Sequence, residues 1–303
     1  MKNNPTISVF TATLNRKQTL GRVFESLKVQ TYRDFEWIII DDGSTDGTDE
    51  LVREFQCNAD FPIKYYWQTN RGKHTAYNLF AKYASGAYYC SIDSDDEVHA
   101  ECLERLIYHF EAIPENQRCL FAGVMCLAED ENGKLIGDKF FEEDLYDDLI
   151  KVLLRHKKLG DKGGLTRTQI LREFPFPEDA DRTYVPESYH IHGYSRIYRT
   201  KYVNEILVRG WKEPRPDHLS DVLPKKENIR GTIYGLLAWP KYSMRFFFAR
   251  PRLYIAVTSK YISLALRLKK GFHRQYSEIG NFHGRILWLA LLPLGLMRYL
   301  VDR

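Results

Sequence analysis

Three carboxylates directly follow an apolar stretch in the sequence AYYCSIDSDDE, which runs from Ala87 to Glu97. The uncharged part of this stretch is typical of a short buried strand. Asp93, Asp95 and Asp96 cannot follow it into the core, because an unpaired buried carboxylate is very costly. They are therefore expected at the carboxyl end of the strand, where open α/β sheets bind ligands. Clustered carboxylate oxygens suit Mg²⁺ or Mn²⁺, which also bind the phosphate oxygens of nucleotides.

A solvated acidic turn that caps the following helix is an alternative explanation of the same residues. A second acidic pair argues against it, because Asp41 and Asp42 end the apolar run FEWIII at residues 35–40. In a parallel sheet the carboxyl ends of both strands lie at one edge, so the two acidic pairs are expected there together.

The elements that would position these acids alternate between strand and helix. Leu20, Val23, Phe24 and Leu27 recur at helical spacing, and further helices are predicted from Thr48, after NRGKH and after the acidic cluster. Strands are predicted at residues 7–10, 35–40, 63–67, 87–92 and 119–127. FEWIII has no polar face, which suits a strand covered by helices on both sides. The alternation predicts a doubly wound α/β fold with a mostly parallel sheet.

Composition limits the other classes of function. The chain has 303 residues, 44% of them hydrophobic, and a net charge of +4. Residues 241–303 contain twelve Lys and Arg against Glu278 and Asp302, whereas residues 1–240 carry a net charge of −6. The basic residues are interleaved with long apolar runs rather than isolated aromatics, which favours a membrane surface over nucleic acid as the partner. A nucleotidyltransferase or sugar-nucleotide-binding protein of similar fold would need a basic, glycine-rich loop after the first strand, and TATLNRKQTLG is not one.

No secretory signal is recognisable in MKNNPTISVF. The most apolar window, residues 286–301, would form a helix of about 24 Å, shorter than the ~30 Å hydrocarbon core. The five cysteines form no CxxC pair, and Cys90, Cys119 and Cys126 lie in apolar runs, as buried free thiols would. We therefore expect a cytoplasmic protein that binds the inner face of the membrane peripherally. Packing of the apolar residues against the α/β part of the chain is the alternative.

Four stretches of the sequence resemble glycosyltransferase family 2, the inverting transferases with a GT-A fold. They are VFTATLNR, LKVQTYRDFEWIIIDDGSTDGT, NRGKHTAYN and IDSDDE. The resemblance is dense over roughly residues 5–130 and looser to about residue 225, and the tail is similar to bacterial members that act on polysaccharide precursors. It implies a GT-A domain at residues 1–240, with a nucleotide-sugar half at about 1–130 and an acceptor half at about 131–240. Residues 241–303 would form a basic, apolar helical extension.

The resemblance implies roles in binding a UDP-sugar. Asp42 would bind the uracil, and Thr11, Thr13 and Asn15 would line the base and ribose. The chain departs from the family here, since Ala12 and Leu14 replace the Pro and Tyr that members often carry. The absence of that Tyr weakens the expectation of aromatic stacking on the base but not the expectation of a nucleotide site there.

The sequence Asp93-Ser94-Asp95 matches the DXD motif of the family. Asp95 would bind the Mn²⁺ or Mg²⁺ ion that bridges the two phosphates, and Asp93 would reach the ribose or a water on the metal. Lys73 would contact the diphosphate, with solvation as the alternative.

Displacement at the anomeric carbon also needs a general base for the acceptor hydroxyl. In RTYVPESYH a short strand at residues 183–185 and a proline precede Glu187, and related bacterial sequences carry a similar Pro-Glu. Glu178, Asp179 and Asp181 are competing candidates. Lys162 and Arg167 in GDKGGLTRT are candidates for donor or acceptor contacts, and His218 is a remote candidate for a third metal ligand. The resemblance and the tail imply a saccharide acceptor, linked to a lipid, in capsule, exopolysaccharide or O-antigen synthesis.

Overall fold

The computed structural model of the chain describes residues 4–142, 145–155, 160–179, 184–211 and 228–301. The chain divides into two compact units. The first combines Met1–Pro175 with Ile197–Pro214, and the second combines Phe176–Arg196 with Arg215–Arg303. This division differs from the sequence-based one at residue 240, because the Glu187 segment belongs with the C-terminal helices and Pro240 lies inside a helix.

The first unit is built around one mixed sheet. Its strands are β1 (Ile7–Thr13), β2 (Phe35–Asp41), β3 (Ile63–Trp67), β4 (Tyr88–Ser91), β5 (Glu97–Val98), β6 (Phe121–Glu129), β7 (Leu145–Asp147), β8 (Lys162–Arg167) and β9 (Arg199–Arg209). Its helices are α1 (Leu20–Lys28), α2 (Thr48–Asn58), α3 (Lys73–Tyr83), α4 (Cys102–Glu111), α5 (Leu149–Arg155) and α6 (Thr168–Glu173). The predicted alternation of strands and helices is confirmed from β1 to β4.

The strand order over the described residues is β3-β2-β1-β4-β8-β6-β9-β5, and β7 pairs with β9. The first four strands are parallel. Beyond them β8 runs antiparallel to β4 and β6, whereas β6 and β9 are parallel. The sheet is therefore mixed, and both acidic motifs follow strands of its parallel part.

Helices cover both faces of the parallel part, and this explains why FEWIII lacks a polar face. All seven residues of β2 are buried. On one face Trp37 packs in a core that includes α1, α2 and α4, where the Phe24 and Phe55 rings lie 4.2 Å apart. On the other face Phe10 meets Phe80 of α3, with ring centroids 4.7 Å apart. Trp37 is fully buried, so its replacement by Ala would cost about 3–5 kcal/mol.

Element boundaries differ from the sequence-based prediction in three places. β1 continues to Thr13, three residues beyond the predicted end. The strand predicted from residue 119 begins at Phe121, because Glu115–Leu120 forms a 3₁₀ turn. Cys119 therefore lies in that turn and is exposed, contrary to prediction, whereas Cys90 and Cys126 are buried as predicted. Residues 184–186 form no strand, and Asp181 and His218 lie outside the described residues.

The described part of the second unit is helical. It consists of α7 (Ser188–Tyr194), α8 (Ile229–Tyr242), α9 (Pro251–Arg267), α10 (Phe272–Ile279) and α11 (Phe282–Val301). Of the helices in the described ranges, α11 alone is long and apolar enough to cross a membrane, judged by length and composition. Its 20 residues exceed the 16-residue window considered in the sequence, because the helix begins four residues before Ile286.

Candidate active site

The two acidic motifs lie at the same edge of the sheet, as predicted. β1 lies between β2 and β4, and both neighbours run parallel to it. In the β1–β2 register Thr13 pairs with Asp41, and in the β1–β4 register Phe10 pairs with Ser91. Asp42 and Asp93 follow these strand ends by one and two residues, so both emerge where α/β sheets bind ligands.

Asp41 stabilises the turn that follows β2. Its side chain is fully buried, and Oδ1 accepts hydrogen bonds from the backbone N–H groups of Gly43 and Ser44 at 3.0 and 2.7 Å. The Tyr65 hydroxyl donates to Oδ2 at 2.7 Å. Gly43 has φ +98°, and a Cβ there would lie 2.9 Å from the backbone nitrogen of Asn70. Asp41 is therefore a structural residue of this loop.

Asp42 holds the loop that leads into α3. Its Oδ1 accepts from Gln68 Nε2 at 2.6 Å and from the Arg71 N–H at 2.8 Å, and its Oδ2 accepts from the Gly72 N–H at 2.8 Å. Burial raises the pKa of Asp42 above its usual value. A carboxylate offers about four acceptor positions. One position on Oδ2 therefore remains for a donor such as the N–H of a base.

The predicted base-binding threonines have different environments. Thr11 is fully buried, and its hydroxyl accepts from Trp37 Nε1 at 3.0 Å, so in this conformation it has no surface for a base or ribose. Thr13 is 2% exposed, and its hydroxyl has no hydrogen-bond partner among the described residues. A buried hydroxyl without a partner is unfavourable, which makes Thr13 the better candidate for a ligand contact.

Asn15 ties the loop after β1 to the loop after β2. It has φ +52°, a left-handed conformation that Asn tolerates better than most residues. Its N–H donates to Ser44 Oγ and its Oδ1 accepts from the Thr45 N–H, both at 2.8 Å. Asn15, which is predicted to line a nucleotide site, therefore fixes these two loops against each other.

The DXD segment forms a turn after β4, in which the Asp96 N–H donates to the carbonyl oxygen of Asp93 at 3.1 Å. The Asp93 side chain is 52% exposed, and its Oδ1 lies 2.7 Å from Lys73 Nζ. Ser94 is buried. Lys73 is therefore brought to the acidic motif, as its predicted contact with a diphosphate requires, although here its partner is a carboxylate.

The residues at this edge fit a divalent cation that is shared with a nucleotide. No group of three or more His, Cys, Asp or Glu side chains in the described ranges could hold a metal alone. Mg²⁺ usually binds one or two carboxylates together with substrate phosphates, rather than a complete protein cage. Asp93 and Asp95 supply hard oxygen donors of this kind, and the exposed Asp93 carboxylate is open to a ligand.

Asp96 was predicted to belong to the acidic cluster, but no role of its own was predicted for it. Burial and the nearby charges of Asp93 and Asp95 raise the pKa of Asp96 to about 8. The N–H of Trp211, just beyond β9, donates to Asp96 Oδ1 at 3.2 Å. The third acid in DSDD was the only sequence signal for this residue, and nothing in the sequence indicated its partner.

Arg22 of α1 supports the same turn. Its guanidinium carbon lies 4.3 Å from the centroid of the Trp211 ring, which is cation–π geometry, and Nη1 donates to the carbonyl oxygen of Asp95 at 3.4 Å. α1 and the segment after β9 therefore hold the DXD turn from two directions. Arg22 was not predicted as a site residue, because an arginine on an amphipathic helix is usually a solvated surface residue.

In the second unit, the segment with Glu187 is held on α8. The Asn228 side chain accepts from the Tyr184 N–H at 3.0 Å and donates to the Tyr184 carbonyl at 3.1 Å. A Cβ at Gly231 would lie 1.9 Å from that carbonyl oxygen, so only glycine permits the approach. Glu187 itself directly precedes α7 and is partly buried. The buried Asn228 amide therefore holds the backbone of Tyr184, three residues before Glu187.

Asp179, Lys162 and Arg167, the other candidate site residues, have structural partners. The Tyr234 hydroxyl donates to Asp179, and Arg274 Nη2 lies 3.2 Å from Asp179 Oδ2. Lys162 Nζ donates to the carbonyl oxygen of Ile136 at 2.8 Å, and burial lowers the pKa of Lys162. The Arg167 guanidinium lies 4.9 Å from the centroid of the Tyr198 ring. Asp179 is therefore already engaged by both Arg274 and Tyr234.

Sequence comparison relates the chain to known glycosyltransferases. Residues 8–207 match Glycosyl transferase family 2. The chain is 28% identical over 205 residues to a GalNAc(5)-diNAcBac-PP-undecaprenol beta-1,3-glucosyltransferase of Campylobacter jejuni, and the match covers 64% of the chain and 65% of that enzyme. Against three other bacterial glycosyltransferases with 30–39% identity, the chain spans only 17–24% of their length.

Solved structures support the fold. S. aureus TarS 1-349 in complex with UDP-GlcNAc is similar with a TM-score of 0.60 and 16% identity, over 98% of this chain and 92% of that one. The mannosyltransferase PcManGT of Pyrobaculum calidifontis, in complex with GDP-Man and Mn²⁺, has a TM-score of 0.50 and 16% identity, over 100% and 89%. These similarities confirm a GT-A-type α/β fold with a helical C-terminal part. Since the family match extends over about two thirds of the chain and includes both acidic motifs, the chain belongs to glycosyl transferase family 2.

Proposed function

We propose that the chain is an inverting glycosyltransferase that moves a hexosyl or N-acetylhexosaminyl group from a UDP-sugar to a saccharide acceptor. The observation that carries this proposal is the common sheet edge at which Asp42, after β2, and Asp93, after β4, emerge. Asp42 suits a nucleobase, and the motif that contains Asp93 suits a cation bound to a diphosphate. The complex of TarS with UDP-GlcNAc supports a UDP-sugar as donor, since TarS has a similar fold.

The donor site uses the described side chains in distinct ways. Asp42 accepts a hydrogen bond from the uracil at the remaining position on Oδ2, and the buried Thr13 hydroxyl gains the partner that it lacks among the described residues. Asn15 shapes the wall of the site through its bonds to Ser44 and Thr45. Lys73 exchanges Asp93 for the diphosphate when the nucleotide binds.

Asp93, Ser94 and Asp95 form the metal-binding part of the site. Asp95 and Asp93 would hold Mn²⁺ or Mg²⁺, which when bound neutralises the charge that develops on the departing diphosphate. The PcManGT complex contains Mn²⁺, which supports a divalent ion in this fold. Arg22 and Trp211 keep the turn in place, so the carboxylates need little rearrangement before the ion arrives.

Glu187 acts as the general base. Its carboxylate takes the proton of the acceptor hydroxyl while the acceptor oxygen forms a bond to the anomeric carbon. The bond between that carbon and the phosphate oxygen breaks, and UDP leaves with the bonding electrons. A single displacement inverts the anomeric configuration.

The acceptor is a saccharide linked to a lipid in the synthesis of a bacterial surface polysaccharide. The Campylobacter relative, by its name, glucosylates an undecaprenol-linked saccharide. The basic residues 241–303, with twelve Lys and Arg and two acids, suit an enzyme at the cytoplasmic face of an anionic membrane. Both features support action at a membrane surface, where a lipid-linked acceptor would be found.

The test is release of UDP from a panel of UDP-glucose, UDP-galactose and their N-acetyl forms, with Mn²⁺, Mg²⁺ or EDTA. We expect release with at least one donor, loss in EDTA and recovery when Mn²⁺ or Mg²⁺ is restored. Mass spectrometry of lipid-linked acceptors would then identify the product. Pyrophosphate release from UTP and a sugar phosphate would instead reveal a nucleotidyltransferase, and tight donor binding without turnover would reveal a sugar-nucleotide-binding protein.

A further inference from the structure

One face of α11 packs closely within the second unit. A Cβ at Gly284 would lie 2.2 Å from the carbonyl oxygen of Pro240 in α8, and a Cβ at Gly295 would lie 2.5 Å from Ile262 in α9. Trp288, between the two glycines, is 3% exposed. α11 is therefore docked along its length, with glycine at both points of closest approach.

The opposite face of α11 is apolar and exposed. We define the α11 apolar face as Phe282, Ile286, Leu289, Leu296, Met297 and Leu300. Exposure ranges from 38% for Leu296 to 72% for Phe282. Their spacings of four, three, seven, one and three residues place them on one side of the helix, so they form a stripe. A contiguous apolar surface of this kind marks an interaction site.

The charge around this face identifies its partner. Residues 250–301, which include α9, α10 and α11, contain nine Lys and Arg but only one acid, Glu278. Glu278 is itself engaged by Lys270 and Arg274, at 2.9 and 3.0 Å. An apolar stripe within a region of such positive charge complements a bilayer with anionic headgroups.

We propose that the α11 apolar face inserts into the interfacial layer of an anionic lipid bilayer, with α11 parallel to the membrane plane. This proposal deepens the membrane association in the proposed function by naming the surface and its orientation. α11 is long enough to span a bilayer, but it would not do so alone. Arg298 donates to the Ala256 carbonyl at 3.3 Å and Gly295 contacts Ile262, so a spanning α11 would carry α9 with it. α9 exposes Lys260, and an exposed charge in hydrocarbon is unfavourable.

The test is sedimentation of the full chain with vesicles of phosphatidylglycerol or phosphatidylcholine. The variant is the double substitution Ile286→Glu and Leu289→Glu, at two positions that are each 50% exposed. The matched control is Val29→Glu with Leu120→Glu, on exposed residues of the first unit. We expect binding to phosphatidylglycerol that high salt weakens, at least a tenfold loss of affinity in the variant, and no change in the control.

Three results would overturn the proposal. The first is equal vesicle binding by the variant and the wild type. The second is a wild type that ignores vesicles but dimerises in sedimentation velocity, with the dimer lost in the variant, since the face would then bind a second copy. The third is membrane-bound protein that resists extraction by alkaline carbonate, as a spanning helix would. UDP release, measured in parallel without vesicles, separates these failures from failure of the proposed activity.

Discussion

The ammonium group of Lys73, at the start of α3, lies 2.7 Å from Oδ1 of Asp93 in the DXD turn. The lysine side chain is only 15% exposed, so its charge is directed at the acidic motif rather than at solvent. In this conformation Lys73 occupies one oxygen that a cation would use. We also expect the Lys73 ammonium group to contact the diphosphate of a bound nucleotide.

Lys73→Met should therefore have two effects of opposite sign. Free Mn²⁺ should bind about two- to tenfold more tightly, because a partly exposed ion pair of roughly 1 kcal/mol no longer competes with it. UDP should bind more weakly in the presence of Mn²⁺, because its diphosphate loses a cation. Isothermal titration calorimetry measures both affinities, with Lys82→Met as the control on the same helix. A variant that weakens both or neither would contradict the exchange of partners.

Asp95→Asn should abolish sugar transfer while the fold remains intact. The amide keeps the size of the carboxylate but loses the negative charge that would hold the divalent ion. We expect no turnover above the EDTA background and an unchanged circular dichroism spectrum. Glu111→Gln, at an exposed end of α4, is the control and should be fully active. Wild-type turnover that persists in EDTA would refute the metal assignment for both aspartates.

Glu187→Gln should reduce turnover by roughly 10²- to 10⁴-fold, because it removes a proton acceptor and preserves shape. The dissociation constant for UDP-sugar should stay within about twofold, since the uracil and the metal are bound by other residues. Asp179→Asn loses the ion pair with Arg274 and should cost stability rather than turnover. An inactive Asp179→Asn or Asp181→Asn with an active Glu187→Gln would show that the base is misplaced.

Asn228→Ala tests the amide that holds the Tyr184 backbone. Loss of both hydrogen bonds should displace the Glu187 segment and lower kcat by about 10²-fold, the cost of a displacement near 1 Å. Asn281→Ala is a matched control, because Asn281 also donates to backbone carbonyls, those of Pro240 and Lys241, at 2.6 and 2.9 Å. Both variants should lose stability, but only Asn228→Ala should lose kcat at unchanged donor KM. Equal losses of kcat in the two variants would show that Asn228 has only a general structural role.

His192 should make the second unit sensitive to acid. Burial lowers the pKa of His192 from 6.5 to about 3, and Nδ1 lies 2.6 Å from Ser243 Oγ. Below pH 6.5 the unfolded chain takes up a proton that the folded chain excludes, so stability is lost as pH falls towards 3. The loss between pH 7 and 5 is about 2 kcal/mol. Urea unfolding at pH 7 and pH 5 measures this loss of the free energy of unfolding. The loss should be smaller in His192→Gln than in the wild type. It should be unchanged in the control His273→Gln, at an exposed position.

The sequence was sufficient to place both acidic motifs at one sheet edge. Strand and helix periodicity depends on local residue order, and the carboxyl ends of parallel strands lie at the same edge of the sheet. That is why Asp42 and Asp93 could be predicted to lie at a common edge before any contact was known. The helical extension was also predictable, although the length of α11 was not, because Arg285 and the residues before it broke the apolar window without breaking the helix.

Only the tertiary structure decided how these residues are used. Thr11 and Thr13 lie two residues apart on one strand, yet one hydroxyl is bound by Trp37 and the other has no partner among the described residues. The backbone donor to Asp96 comes from Trp211, 115 residues further along the chain. Such pairings depend on which elements pack together, and packing is a property of the whole fold. The sequence by itself determined where the carboxylates emerge, whereas the tertiary structure determined which donors and cations meet them, because those partners are distant in the chain and are brought close only by the packed core.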